Sequence, residues 1–187
     1  LCVMINNVSE AMPQSGISQA DVTYEMLVEG GITRLLCVFK DYDEITKLGP
    51  IRSARHYYVE VADMLDGLYA HVGWSPLAEE EIPKLGVDNL NGLLALSTIM
   101  YYRDDTRYAP HNCYTDGPKT IEGINYEGYS TEYTSDPEKM FSFNYNDTNL
   151  GTGLVANKVT TAFSSYQTPW FEYNSEDGLY YRFQYGS

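Results

Sequence analysis

The sequence is poor in cationic side chains. Twelve Lys and Arg stand against 26 Asp and Glu, a formal net charge of −14 over 187 residues. That balance argues against a nucleic-acid backbone or an anionic membrane surface as partner. Cysteine is scarce too: Cys2, Cys37 and Cys113 show no CxxC and no zinc-ligand spacing, so no metal and no cofactor is expected. Cys2 and Cys37 fall on expected strands and read as buried free thiols. Cys113 is expected to form no disulfide with either. No apolar run is long enough to cross a membrane. No signal peptide opens the chain; it begins directly in an apolar run, Leu1–Asn6, as would a chain whose leader had been removed. There is no HExxH, GxSxG or phosphate-loop motif, and no Ser-His-Asp order, to announce an enzyme. Internal repeats and low-complexity linkers are also absent.

The few cations that exist are concentrated. Of six arginines, five lie between positions 34 and 107. Arg52 and Arg55 belong to the stretch GPIRSARH, residues 49–56. Gly49-Pro50 breaks the preceding structure, and Ile51, Ala54, Tyr58, Val61, Ala62 and Leu65 then fall on one face at 3.6 spacing. The pattern predicts a helix over about 52–66 with Ser53 as N-cap. Two guanidiniums at a helix start face the positive end of the dipole and its free N–H groups, which calls for an anion between them. A carboxylate of the protein or a ligand could fill that role.

In chain order, Leu1–Asn6 reads as a buried strand and 7–18 as a loop. Asp21–Phe39 reads as a hairpin turning at Gly30-Gly31. A two-residue turn pairs Leu27 with Arg34 and Glu25 with Leu36. It puts Val22, Tyr24, Met26 and Val28 on one core face with Thr33, Leu35, Cys37 and Phe39. Glu25, Glu29 and Arg34 then share the other face, as an ion network or as a site wall. After the arginine helix, Leu68–Gly73 is a strand, so strand, helix and strand suggest a right-handed crossover. Ser75 as N-cap, Pro76 at the first helical position and Gly86 after the last turn mark a second helix over 76–85. His71 precedes this strand-to-helix junction, where α/β folds favour ligands. GVDNLNG reads as a turn before a short helix or strand. YYRDDTRYAPHN, residues 101–112, reads as a loop carrying Arg103, Arg107, His111 and Asn112. A short helix follows Pro118. Asn144, Asn146, Asp147 and Asn149 alternate like calcium ligands but lack the bidentate Glu of an EF-hand, so no metal site is assigned there. Lys158–Ser164 reads as a strand, and Trp170–Tyr173 with Leu179–Tyr185 as a hairpin. Tyrosine is abundant, with 18 in all and 13 from Tyr101 onward.

These readings predict an α+β fold whose first half is α/β-like. A mixed sheet has the hairpin 21–39 at its centre, helices near 52–66 and 76–85 pack on it, and a β-rich part ends the chain. Residues 1–150 are assigned to the α/β domain and 151–187 to the start of a β-rich subdomain.

Five stretches, QSGISQADVTYEMLVEGGITRLL, GPIRSAR, HVGWSP, GVDNLNG and YYRDDTRYAPHN, occur in the order and at the spacing of the YerB-like lipoproteins of Gram-positive bacteria, and nearly the whole chain resembles them. The resemblance implies a signal peptide and a lipidated cysteine upstream, a domain outside the cytoplasmic membrane anchored to it only through that lipid, and a C-terminal continuation. It carries no assigned activity. Members usually have Gly where this chain has Trp74 and Pro where it has His56; Trp74 would narrow any pocket beside Ser75.

Three classes of function remain open. The first is binding of an anionic cell-envelope ligand or glycan through Arg52, Arg55, Ser75, Arg103, Arg107 and Asn112. The second is an enzyme on a phosphorylated or carboxylated envelope substrate, with His71 or His111 as acid–base. The third is an assembly domain using the Tyr-rich half. For the first two, Arg52, Arg55, His71, Ser75, Arg103, Arg107 and His111 should line one cleft, with Glu25 and Glu29 partly neutralising it. Pairing of the arginines with those glutamates as a structural network is the competing outcome.

Overall fold

The computed structural model describes residues 1–133 and 153–186. Five strands form a mixed sheet: β1 (Cys2–Asn6), β2 (Val22–Leu27), β3 (Thr33–Val38), β4 (Tyr69–His71) and β5 (Asn89–Asn91), in the order β2-β3-β1-β4-β5. β1 is antiparallel to β3 and parallel to β4, and β4 is parallel to β5. The α+β class and the mixed sheet are as expected. The hairpin, however, forms one side of the sheet, and β1 takes the centre. Every residue of β1 is buried, which a continuous apolar run requires. β2 alternates polar and apolar residues and is buried only in part, as suits an edge.

The hairpin register differs from the expected one by a residue. Glu29–Gly31 form a short 3-10 turn, closed by the Val28 N–H donating to Ile32 O at 2.8 Å. Leu27 therefore opposes Thr33, Met26 opposes Arg34 and Glu25 opposes Leu35. A one-residue shift exchanges the faces of β3 relative to β2. Glu25 and Arg34 consequently lie on opposite faces, and the expected charged trio is divided.

Both faces of the sheet are covered. Met4, Leu36, Tyr69 and the β2 residues Tyr24 and Met26 pack under helices α1 (His56–Met64) and α2 (Pro76–Leu85), through Tyr58, Val59, Ala62, Ala78 and Ile82. Val3, Ile5, Leu35, Cys37, Ala70 and Leu90 pack under Ile45, Leu48 and Ile51 of the long β3–α1 connection. Helices α3 (Leu96–Ile99) and α4 (Gly117–Glu127) complete that layer. The crossover is β4–α2–β5, between adjacent parallel strands. The expected one, through α1, joins β3 to β4, which flank β1 and run in opposite directions. β5 lies inside GVDNLNG, where a turn is expected.

α2 has the expected ends: Ser75 Oγ accepts from the Ala78 N–H, Pro76 is first, and Gly86 closes it in the left-handed region. α4 is capped by Asp116, whose side chain accepts from the Lys119 N–H. Its first residue must be glycine, because a Cβ on Gly117 would lie 2.1 Å from Asp43 O. Tyr102–Arg103 and Cys113–Tyr114 pair as the two-stranded β6 and β7. Cys113 thus sits in a strand; all three cysteines are buried free thiols. Burial pushes Cys2 up to about 11 and Cys37 up to about 12, and Cys113 also upward, so none is poised as a nucleophile.

A second antiparallel sheet holds β8 (Lys158–Thr160), β9 (Trp170–Asn174) and β10 (Leu179–Phe183), in the order β10-β9-β8. A polar knot ties it to the main body. Arg182 pairs with Glu25 at 2.8 Å, Gln184 Nε2 donates to Asn7 Oδ1 at 3.0 Å, and Tyr185 OH donates to Asn7 O. Glu25 also accepts from Asn7 Nδ2 at 3.0 Å and Thr33 Oγ at 2.7 Å. One of the two hairpin glutamates is thereby committed to holding the second sheet. The Asn144–Asn149 stretch lies outside the described residues.

Candidate functional site

The GPIRSARH stretch does not begin a helix at residue 52. It crosses the end of the sheet as extended chain. Arg52 N–H donates to Met4 O at 2.9 Å and Ala54 N–H to Gly73 O at 2.9 Å, while Arg52 O accepts from Val72 N–H at 3.1 Å. Strand ends thus satisfy amide groups that a helix would have bonded within itself. α1 starts only at His56, its N-cap residue is Arg55, and no side chain caps it. Ser53 is not a cap. Ala54 and Trp74 then form a parallel bridge, which sets the starts of α1 and α2 side by side at the carboxyl ends of β4 and β5. Gly73 makes this possible: its φ is +79°, and a Cβ there would lie 3.1 Å from Ser53 Oγ.

At the same end, the helix-covered face of the sheet carries a polar row. Asn6 opposes Arg34 across β1 and β3, and His71 opposes Asn91 across β4 and β5. Arg34 is only 4% exposed. One guanidinium nitrogen donates to Ser53 O, and its Nε–H has no acceptor among the described residues. Burial, then the charges of Arg55 and Arg52, pull the Arg34 pKa down to about 10. Arg52 donates to Pro110 O at 3.3 Å, and its Nε–H likewise lacks an acceptor. Burial, Arg55 and Arg103 lower its pKa. Asn91 Oδ1 accepts the Gly73 N–H at 3.1 Å, but its buried Nδ2 has no acceptor. Arg34 binds the Ser53 carbonyl and Arg52 precedes Ser53, while Asn91, on β5 at the far side of β1 and β4, holds the glycine packed on Ser53. A buried donor left unsatisfied costs about 1–3 kcal/mol.

Arg55 has a partner. Its Nε and Nη2 both donate to Glu29 at 2.7 Å in a two-pronged contact, and Nη1 donates to Ala54 O at 2.8 Å. The Arg55 side chain is 13% exposed and that of Glu29 is 68% exposed. Arg55 holds the Glu29 carboxyl down at about 2. Of the two glutamates expected to neutralise the arginines, Glu29 does so and Glu25 faces the other way.

The 101–112 loop contributes less than expected. The Arg107 guanidinium donates to the carbonyls of Pro13 (2.9 Å), Met12 (2.8 Å) and Glu10 (3.2 Å) and to Tyr114 OH (2.8 Å). It staples a distant loop, and both of its Nη groups are committed there. Arg103 donates to Asn112 Oδ1 at 3.1 Å, and Asn112 is buried within the loop it organises. His111 reaches the cluster: its Nδ1 accepts from Asn6 Nδ2 at 2.7 Å, which leaves the N–H on Nε2. Burial and Arg52 lower its pKa, so the ring is neutral at pH 7 and can donate to an anion.

His71 is fully buried and burial pushes its pKa down to about 4. Nδ1–H donates to Gly73 O at 2.8 Å, and Nε2 is hydrogen-bonded to the Asn89 side-chain amide at 2.5 Å. It holds the glycine turn and does not meet solvent, so its geometry fits a positioning residue and not the acid–base residue considered above. Ser75 Oγ is likewise occupied, as the cap of α2. Arg52, Arg55, His71 and Ser75 thus lie at or beside the two helix starts and His111 bonds Asn6, while Arg107 is engaged with a distant loop and Asn112 within its own; Arg34 lies on the same sheet face. Arg34 was expected as a wall residue or ion-network member beside Glu25 and Glu29, not in the arginine cleft itself. A cavity of about 700 Å³ opens at the opposite end of the sheet among Asp21, Asp63, Asp66 and Asp88. Its acidic lining would repel an anion.

Residues 1–130 match the family described as "Protein of unknown function (DUF3048) N-terminal domain". The chain is 36% identical over 137 residues to "Putative lipoprotein YerB" of Bacillus subtilis (strain 168), covering 73% of this chain and 41% of that protein. A crystal structure of YerB protein from Bacillus subtilis superposes with a TM-score of 0.84 at 30% identity, over 100% of this chain and 61% of the other. The chain thus spans less than two thirds of the length of these relatives. Every residue of the arginine cluster lies within the matched region, and the chain belongs to the DUF3048 family of YerB-like proteins.

Proposed function

We propose that this domain binds an anionic ligand of the cell envelope, outside the membrane, as part of a lipid-anchored protein. The observation that carries the binding role is the set of three buried donors without acceptors, Arg34 Nε, Arg52 Nε and Asn91 Nδ2. Two adjacent helix N-termini support it, since each brings unsatisfied N–H groups and about half a positive charge. Guanidiniums suit carboxylate and phosphate through paired donors. The envelope setting is supported by the name lipoprotein carried by the Bacillus subtilis relative.

The test is thermal unfolding in sulfate against chloride at matched ionic strength. At a hundredfold excess over Kd, binding adds about 2.7 kcal/mol, which raises Tm by about 5–10 °C for a chain of this size. Arg52 makes one long hydrogen bond, so Arg52→Ala is expected to keep the fold and abolish the sulfate-dependent rise. No rise in the wild type, or an equal rise in the variant, would reject the site.

A further inference from the structure

We infer that the anion taken by this cluster is a phosphate group carrying two charges, as in a phosphomonoester or a terminal diphosphate, and that it displaces Glu29 from Arg55. The inference rests on the anion-binding reading above. Three guanidiniums, Arg34, Arg52 and Arg55, act on one another here, and Glu29 is the carboxylate that acts on Arg34 and pairs with Arg55. The charged groups acting on Arg52 are Arg55 and Arg103, both cationic. One carboxylate against three guanidiniums leaves two positive charges uncompensated. A carboxylate ligand in place of Glu29 would leave them so; a phosphate dianion would leave one.

The donor count agrees. Glu29 spends both its oxygens on the fork of Arg55. The Nε–H groups of Arg34 and Arg52 then have no acceptor left. A phosphate end has a third oxygen and more acceptor sites than a carboxylate. Glu29 is also placed to leave. Its side chain is mostly exposed, so rotation about its own bonds carries the carboxylate into water. It stands on a turn whose Gly30 and Gly31 both have positive φ and whose Gly30 touches nothing at the Cβ position. The carboxylate thus fills the site in the absence of ligand and competes with it. His111, neutral with its N–H on Nε2, adds a donor that does not change the charge balance.

The experiment is calorimetric titration of the full chain with phenyl phosphate and with benzoate, which share a ring and differ in the anionic group. Wild type should bind phenyl phosphate at least about tenfold more tightly than benzoate. Glu29→Gln should tighten phenyl phosphate further, by about tenfold, because the amide competes less well for Arg55. Arg52→Ala should lose the preference for phosphate. Equal affinity for the two ligands would overturn the phosphate assignment while leaving an anion site in place. Unchanged affinity in Glu29→Gln would overturn the displacement. Binding of neither ligand, or undiminished binding in Arg52→Ala, would overturn the site itself.

Discussion

Tyr58→Ala is expected to destabilise the domain by about 4–6 kcal/mol. Tyr58 is the largest side chain by which α1 grips the hairpin, and it is fully buried. Loss of a buried aromatic ring to alanine costs about 3–5 kcal/mol. Its hydroxyl also accepts the Met26 N–H at 2.9 Å and lies 2.5 Å from Arg34 O. Without it, a part-buried amide and a buried carbonyl lose their partner, at about 1–3 kcal/mol. Domains of this size are stable by about 5–15 kcal/mol, so the variant would stand near the margin of folding. Tyr58→Phe keeps the ring and should lose only the hydroxyl share. Urea unfolding separates the two. Similar losses in both variants would show that the ring does not anchor α1. Because Tyr58 joins α1 to the backbone of Arg34, the alanine variant should also lose its response to anions.

The second large effect is on acid stability. Burial lowers the His71 pKa from 6.5 to about 4, and its nearest polar neighbours, Gly73 O and Asn89, carry no charge. Between those two values the unfolded chain binds a proton that the folded chain does not. Stability therefore rises with pH across this window. It is fully present above about 6.5 and lost as pH falls towards about 4. The difference corresponds to about 3 kcal/mol. His111 is shifted the same way and adds to the same window. Glu29 acts in a lower one: with its carboxyl held at about 2 by Arg55, its contribution is present above 4.5 and lost as pH falls towards 2. Denaturant unfolding at intervals from pH 7 to pH 4 should show the slope in the wild type and a much flatter one in His71→Gln. A flat wild-type profile would mean that His71 is not buried as a neutral ring.

Much of the fold was legible because its signals are local. Ser75-Pro76 and Gly86 bracket α2 within a dozen residues, the run Leu1–Asn6 has nowhere to go but a buried strand, and the hairpin and β9–β10 announce themselves by composition. What was not legible depends on partners distant in the chain. Gly30-Gly31 allows either a two- or a three-residue turn, and that one-residue difference decides whether Glu25 faces Arg34 or Arg182. Residues 51–55 carry a helical pattern, yet Met4 and Gly73 claim their amides first. β5 is only three residues long inside a turn-like stretch, and pairing with β4 is what makes it a strand.

The candidate site divides in the same way. Arg52 and Arg55 beside Ser75 could be foreseen, because a pair of arginines before a helix poses an electrostatic question. Arg34 was expected beside Glu25 and Glu29, but its place with Arg52 and Arg55 follows from the observed register, which puts it opposite Asn6 and on the other face from Glu25. Arg107 looked equivalent to Arg52 in the sequence. Its guanidinium is consumed by carbonyls of residues 10, 12 and 13, to which no local pattern points.

The anion site is tested most directly by following the arginine Nε–H signals in ¹H–¹⁵N NMR spectra while inorganic phosphate is added at constant ionic strength. Arg34 and Arg52 hold the Nε–H groups without acceptors. Their signals should move and saturate together, while that of Arg107, whose Nη1 and Nη2 are tied to carbonyls of a distant loop, stays in place. If the Arg34 and Arg52 signals do not move, or if all arginine signals drift alike without saturating, the cluster is a structural one and binds no anion.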